Sequence, residues 1–216
     1  NPLFSGTYAG RVARGSARSP FGPTIREIQK RAGSSIRASV GSGWRHSTTS
    51  ATKRAAAGAD GLPGGQHPMA LMGHSAGAQI AALLAFDRSY LDAAGSSQER
   101  ISAFVGLAGP YDFLPLTDER YKRIFPPSLR QRSQPVTYAG GTGPPTLLIH
   151  GTADRTVAAD NSVSMARAIE DAGGQATLRL FDDVDHLGPI SAFVTALPVG
   201  DKAIRETVFT FLRDHE

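Results

Sequence analysis

The chain has no cysteine among its 216 residues. That excludes a disulfide framework, a thiolate nucleophile and any cysteine metal site. It also lacks a long apolar run: no stretch reaches the roughly 20 residues that a membrane-spanning helix needs, and no apolar secretory segment opens the chain. Histidines and carboxylates at metal-ligand spacing are missing too, so no metal is expected. There is no internal repeat. These absences fit any compartment, with the cytoplasm favoured, and they say nothing of oligomeric state.

A second shortage is local. Residues 1–68 hold two Asp/Glu against ten Lys/Arg, whereas residues 69–216 hold seventeen against thirteen. The basic isoelectric point, about 9.7, therefore originates in the first third. That third has nine Leu, Ile, Val or Phe, while Gly, Ser, Ala and Arg make up 38 of its 68 residues. Such a composition is too poor in large apolar groups to support a packed core. The one helical candidate is Thr24 to Ala32. Three readings fit residues 1–68: a basic nucleic-acid arm, a targeting peptide, and a translated shifted reading frame of GC-rich coding DNA. The first lacks aromatic interleaving and any known binding module, so nucleic acid is not expected as a partner. The shifted frame is favoured. The chain starts with Asn1 rather than Met and is expected to be a fragment.

From Met69 onward the pattern changes. Met69 to Met72 form a short apolar run that ends at Gly73-His74-Ser75-Ala76-Gly77. A small-residue helical pattern follows, with Ala78, Ile80, Ala81, Ala82, Leu83 and Leu84. Gly-x-Ser-x-Gly is common by chance in a chain with 24 glycines, so context must carry it. Here the context is strand, tight turn, helix, with a serine at the tip of the turn, the arrangement of a nucleophile elbow. The flanking glycines allow strand and helix to approach closely, and the N–H of Ala76 is the candidate oxyanion donor.

Candidate partners lie downstream. Pro145 to Gly151 is a second buried-strand pattern, and Asp154 falls just past its end, where the acid of a Ser…Asp…His triad belongs. A helix is predicted over 161–172, then a strand over 176–181. The polar loop Asp182-Asp183-Val184-Asp185-His186 supplies the histidine. Asp185 neighbours His186 but shares its loop, a poor geometry for meeting the ring. The other histidines fit less well: His74 belongs to the elbow, and His150 sits at a strand end, where packing is expected.

The segments GHSAGAQIAALLA (73–85), GLAGPYDF (106–113), PTLLIHGTADRTV (145–157) and FDDVDH (181–186) resemble the α/β-hydrolase superfamily. Within it they are similar to carboxylesterases of the group that includes hormone-sensitive lipase, feruloyl/acetylxylan esterases (BD-FAE) and prenylcysteine methylesterase. The resemblance covers about two thirds of the chain, from about residue 69. It implies an α/β fold, a doubly wound and mostly parallel sheet that lacks its first strands, with residues 69–216 as the C-terminal part of the domain. It also implies ester hydrolysis through an acyl-enzyme on Ser75, His186 and Asp154, with a small-molecule ester as partner. His74, Tyr111 and Phe113 are expected at the substrate pocket.

That family takes a second oxyanion donor from a His-Gly-Gly-Gly-type loop before the elbow. None is present here; the nearest segments, Gly41 to Trp44 and Gly64-Gly65, follow no convincing strand. Two alternatives therefore stay open: an amide hydrolase of arylformamidase or peptidase type on the same triad, and a non-catalytic remnant.

The alternation predicts strands at 69–72, 101–107, 146–150 and 176–181, with helices at 76–86, 161–172 and 201–213, which argues for a parallel sheet flanked by helices. Between the second and third strands lies a proline-rich insertion, 109–144, expected to wall the pocket.

Overall fold

The computed structural model describes residues 68–194 and 200–215. The readings of residues 1–67 made from sequence, the Thr24–Ala32 helix among them, lie outside those residues. Four strands form one sheet: β1 (Met69–His74), β2 (Ile101–Leu107), β3 (Thr146–Gly151) and β4 (Ala176–Phe181). All neighbours are parallel and the spatial order equals the chain order. A parallel sheet needs a crossover between strands, and each crossover must cover a face.

The strands read as continuous apolar runs because both faces are covered. On one face Leu71, Phe104, Leu148 and Leu178 pack under two helices, α1 (Ala76–Phe86) and α5 (Asp160–Asp171), through Ala78, Ala82, Met165 and Ile169. On the other, Met72, Val105, Leu147, Ile149 and Phe181 pack against Ile204 and Val208 of the C-terminal helix Lys202–Arg213. Adjacent residues of β2 and β3 thus serve opposite cores, as the two-residue period requires. The alanines of α1 let it lie close to the sheet, and Phe86 closes its end edge-on against Phe104.

The predicted strands and long helices are found nearly where the sequence places them, with β1 continuing to His74. A short α2 (Arg88–Asp92) follows α1. The insertion 109–144 folds as short α3 (Glu119–Ile124), α4 (Pro127–Arg130) and two 3₁₀ turns. After α5 come a short α6 (Gly188–Ser191) and the C-terminal α7 (Lys202–Arg213).

Two side-chain amides anchor the insertion. Asn161 Oδ1, at the start of α5, accepts from the N–H groups of Tyr111 (3.0 Å) and Asp112 (2.9 Å). Gln134 Oε1 accepts from those of Phe113 (2.8 Å) and Leu114 (3.1 Å). Four successive backbone donors leaving β2 are satisfied this way, where no neighbouring strand could do so. Gln79 of α1 donates from Nε2 to Ser133 O at 2.8 Å and ties down the far end. Asn161→Ala strips acceptors from two donors, at least one of them buried. It is expected to cost about 2–4 kcal/mol, read as a lower denaturant midpoint; an unchanged midpoint would contradict the anchoring.

Candidate active site

The C-terminal edge of the sheet is where the three candidate side chains gather. Each strand hands its chain to a loop fixed on the next strand: Ser75 N donates to Leu107 O, Ala108 N to Ile149 O and Thr152 N to Phe181 O, each at 2.9 Å. Ligands of open α/β sheets bind at this edge.

Ser75 stands between β1 and α1 with φ 55° and ψ −127°, a conformation that side chains rarely adopt and that costs of the order of 1–3 kcal/mol. The turn cannot relax, because a Cβ on Gly73 would collide with the backbone of Gly77 and Ala78. Serine is a favoured helix cap, yet the Ser75 side chain makes no capping hydrogen bond. Its Oγ lies 2.9 Å from His186 Nε2 instead. Ala76 opens α1, exposed, with its N–H in the first helical turn, where backbone donors have no intrahelical acceptor.

His186 reaches the site because the loop after β4 lies tightly across the end of β3. A Cβ on Gly151 would collide with Val184 O. The loop is fastened by Ala153 N to Val184 O (3.1 Å) and Asp183 N to Thr152 Oγ1 (3.2 Å). His186 Nδ1 lies 2.7 Å from Asp154 Oδ2. The carboxylate only accepts, so Nδ1 carries the proton and bare Nε2 accepts from the Ser75 hydroxyl. The other oxygen of Asp154, Oδ1, accepts from Thr156 N (2.8 Å) and Val157 N (2.9 Å). Burial pushes the Asp154 carboxyl up, but hydrogen bonds from Val157, His186 and Thr156 outweigh it and hold the group below its ordinary value.

The structure thus brings Ser75, His186 and Asp154 into one hydrogen-bonded line. Asp185 is turned away: its Oδ1 accepts from Leu187 N and Gly188 N, just ahead of α6. His74 joins the site from below, with Nε2 donating to the backbone O of His186 at 2.7 Å. Burial holds its imidazole below the ordinary value. Phe113 packs against Phe125 in the insertion, ring centroids 5.1 Å apart and tilted by 42°. Tyr111, expected from the sequence at the substrate pocket, has its ring turned inward. It is fully buried in the core beside Phe104, and its hydroxyl fills space that only glycine at 106 and 109 leaves open. His150, read from sequence as packing, stands behind Asp154 with Nε2 3.3 Å from Oδ2. Its four-residue spacing from Asp154 was the available signal. Among the described residues no group of three His, Asp or Glu could hold a metal ion, and no helix is long and apolar enough to cross a membrane.

A parallel sheet with helices on both faces and a strained serine at a strand-to-helix turn defines an α/β-hydrolase fold. The chain belongs to the BD-FAE family, whose profile matches residues 50–169. The match takes in residues 50–68, which the sequence reading set apart, and stops before His186. The isoprenylcysteine alpha-carbonyl methylesterase ICME of Arabidopsis thaliana is 29% identical over 138 residues, 54% of this chain and 32% of that one. The chain therefore spans about a third of the length of the curated relatives it matches. Among solved structures, a truncated carbohydrate esterase from gut microbiota superposes with a TM-score of 0.59 at 17% identity, covering 77% of this chain and 66% of that one. The butyrate-bound thermophilic esterase Est2 of Thermogutta terrifontis gives 0.55 at 22%, covering 77% and 63%. These likenesses are to the fold.

The buried imidazoles give the fold a pH dependence of definite sign. Burial lowers the values of His74 and of His150 from 6.5. The unfolded chain therefore takes up protons first as the pH falls. Their contribution is complete above about pH 6.5 and is lost below it. Asp154, lowered from 3.8, adds a further loss only at more acid pH. The denaturant midpoint is expected to decline between about pH 7 and about pH 5, and less steeply in His74→Gln, whose amide can still donate but does not titrate. A flat profile would contradict the assignment of neutral histidines.

Proposed function

We propose that the chain carries the catalytic site of a carboxylic ester hydrolase acting on small-molecule esters through an acyl-enzyme. The observation that carries this reading is the hydrogen-bonded line from Ser75 Oγ through His186 to Asp154, set on a strained turn beside the start of α1. Membership of the BD-FAE family, and a relative named as a methylesterase, support it.

Ser75 is the nucleophile. As its Oγ attacks the ester carbonyl carbon, His186 Nε2 takes the hydroxyl proton. Asp154 holds the ring in the Nδ1–H tautomer and offsets the imidazolium charge. The Ala76 N–H faces the developing oxyanion. The imidazolium returns the proton to the departing alkoxide, leaving the acyl group on Ser75. Water then loses a proton to His186 and attacks the acyl carbon, and Ser75 recovers its proton as the carboxylic acid departs. No metal or organic cofactor enters these steps.

The strained φ of Ser75 serves this chemistry, since it points Oγ at His186 and away from the helix N–H groups a capping serine would use. His74 fixes the His186 backbone at the same end.

Labelling by a fluorophosphonate probe is expected in the wild-type chain and absent in Ser75→Ala; labelling that survives the substitution would contradict the assignment. With p-nitrophenyl esters, Asp154→Asn is expected to lower kcat by about 10⁴, because the amide favours the wrong tautomer. Asp185→Asn keeps an oxygen for Leu187 and Gly188 and is expected to change kcat by no more than about threefold. The reverse ranking would overturn the role given to Asp154.

A further inference from the structure

Asp154 has two oxygens and four donors around them. Oδ1 is occupied by two backbone N–H groups. Oδ2 faces His186 on the open side of the site and His150 on the buried side. His150 is wholly inaccessible, as is Ser162. Its Nε2 lies 2.9 Å from Val157 O, and its Nδ1 lies 2.7 Å from Ser162 Oγ. A carbonyl only accepts, so Nε2 carries the proton and donates it to Val157 O, with Asp154 Oδ2 in contact on its flank at 3.3 Å. Neutral Nδ1 then accepts from the Ser162 hydroxyl, which fixes the tautomer. We propose that His150 and Ser162 are positioning residues that lock the Asp154 carboxylate from behind, extending the line Ser75–His186–Asp154 into the core.

The geometry gives each contact a task. The bond to Val157 O closes the turn 154–157 whose N–H groups hold Oδ1. The longer contact to Oδ2 limits swinging of the carboxylate away from His186. Ser162, in the first turn of α5, ties that lock to the helix whose Asn161 anchors the chain leaving β2. The titratable groups facing Asp154 and His186 are His150 from β3 and His74 from β1. Burial keeps both neutral near pH 7, so the lock works by direction rather than by charge.

This inference rests on the roles proposed for Ser75, His186 and Asp154, and its test separates the two. The full chain is compared with His150→Leu, His150→Gln and Ser162→Ala, all checked for folding by circular dichroism. One readout is the low-field proton resonance of His186 Nδ1–H at low temperature. The other is kcat and KM for p-nitrophenyl butyrate. In His150→Leu the resonance is expected to move upfield and broaden, and kcat to fall about tenfold, with KM unchanged. His150→Gln, whose amide N–H can replace Nε2–H, is expected to restore both. Ser162→Ala is expected to shift both in the same direction by less. A resonance unmoved in His150→Leu, or one not restored in His150→Gln, would overturn the lock. Should His150→Leu fail to fold, an unmoved resonance in Ser162→Ala would do the same. A wild type that shows the resonance but turns over no ester overturns the proposed function alone, and the resonance comparison then decides the lock. A wild type without the resonance overturns both.

Discussion

The close approach of β1 and α1 at Gly73 and Gly77 is the constraint on which the rest depends. It forces Ser75 into a positive φ, which takes the side chain off its capping duty and presents the hydroxyl at the C-terminal edge of the sheet. The cost, of the order of 1–3 kcal/mol, is sustained by what surrounds the turn. Ser75 N is bonded to β2, and four small alanines seat α1 on the sheet with Phe104 beneath. A side chain on Gly73 would separate strand from helix and release that strain.

The same logic of close backbone approach recurs at Gly151, where the His186 loop crosses β3. Two glycines, one on each side of the site, bring a serine and a histidine 111 residues apart to 2.9 Å. Asp154 joins them as a carboxylate whose oxygens are filled by donors. Saturation of that kind outweighs the desolvation that burial imposes and keeps the group ionised. The neighbouring His74 and His150 take the opposite course, since burial lowers both.

Much of this was legible in the sequence. Strands covered on both faces read as uninterrupted apolar runs, and β1, β2, β3 and β4 could be bounded that way. α1 announced itself through its alanine-rich run after a Gly-x-Ser-x-Gly, and Ser75, Asp154 and His186 each fall at the end of a legible strand. What could not be read depends on contacts between distant residues. Nothing in Pro110-Tyr111 says that the ring turns into the core, because the space it fills is created by glycines at 106 and 109 in the folded chain. Asn161 and Gln134 look like ordinary surface amides until the chain leaving β2 is seen to lack partners. The insertion's short helices were hidden because prolines interrupt every period long enough to recognise. The family match reaching back to residue 50 was equally unreadable from a segment so rich in Gly and Ala.

The central claim is that Ser75 bears a covalent acyl group during turnover. The most direct test is rapid acid quench of the full chain with p-nitrophenyl butyrate, followed by intact mass measurement and peptide mapping. The account predicts one butyryl group per chain, accumulated before steady state and carried on the peptide containing Ser75. Ester turnover with no acyl adduct, or an adduct mapped to any other residue, would contradict it.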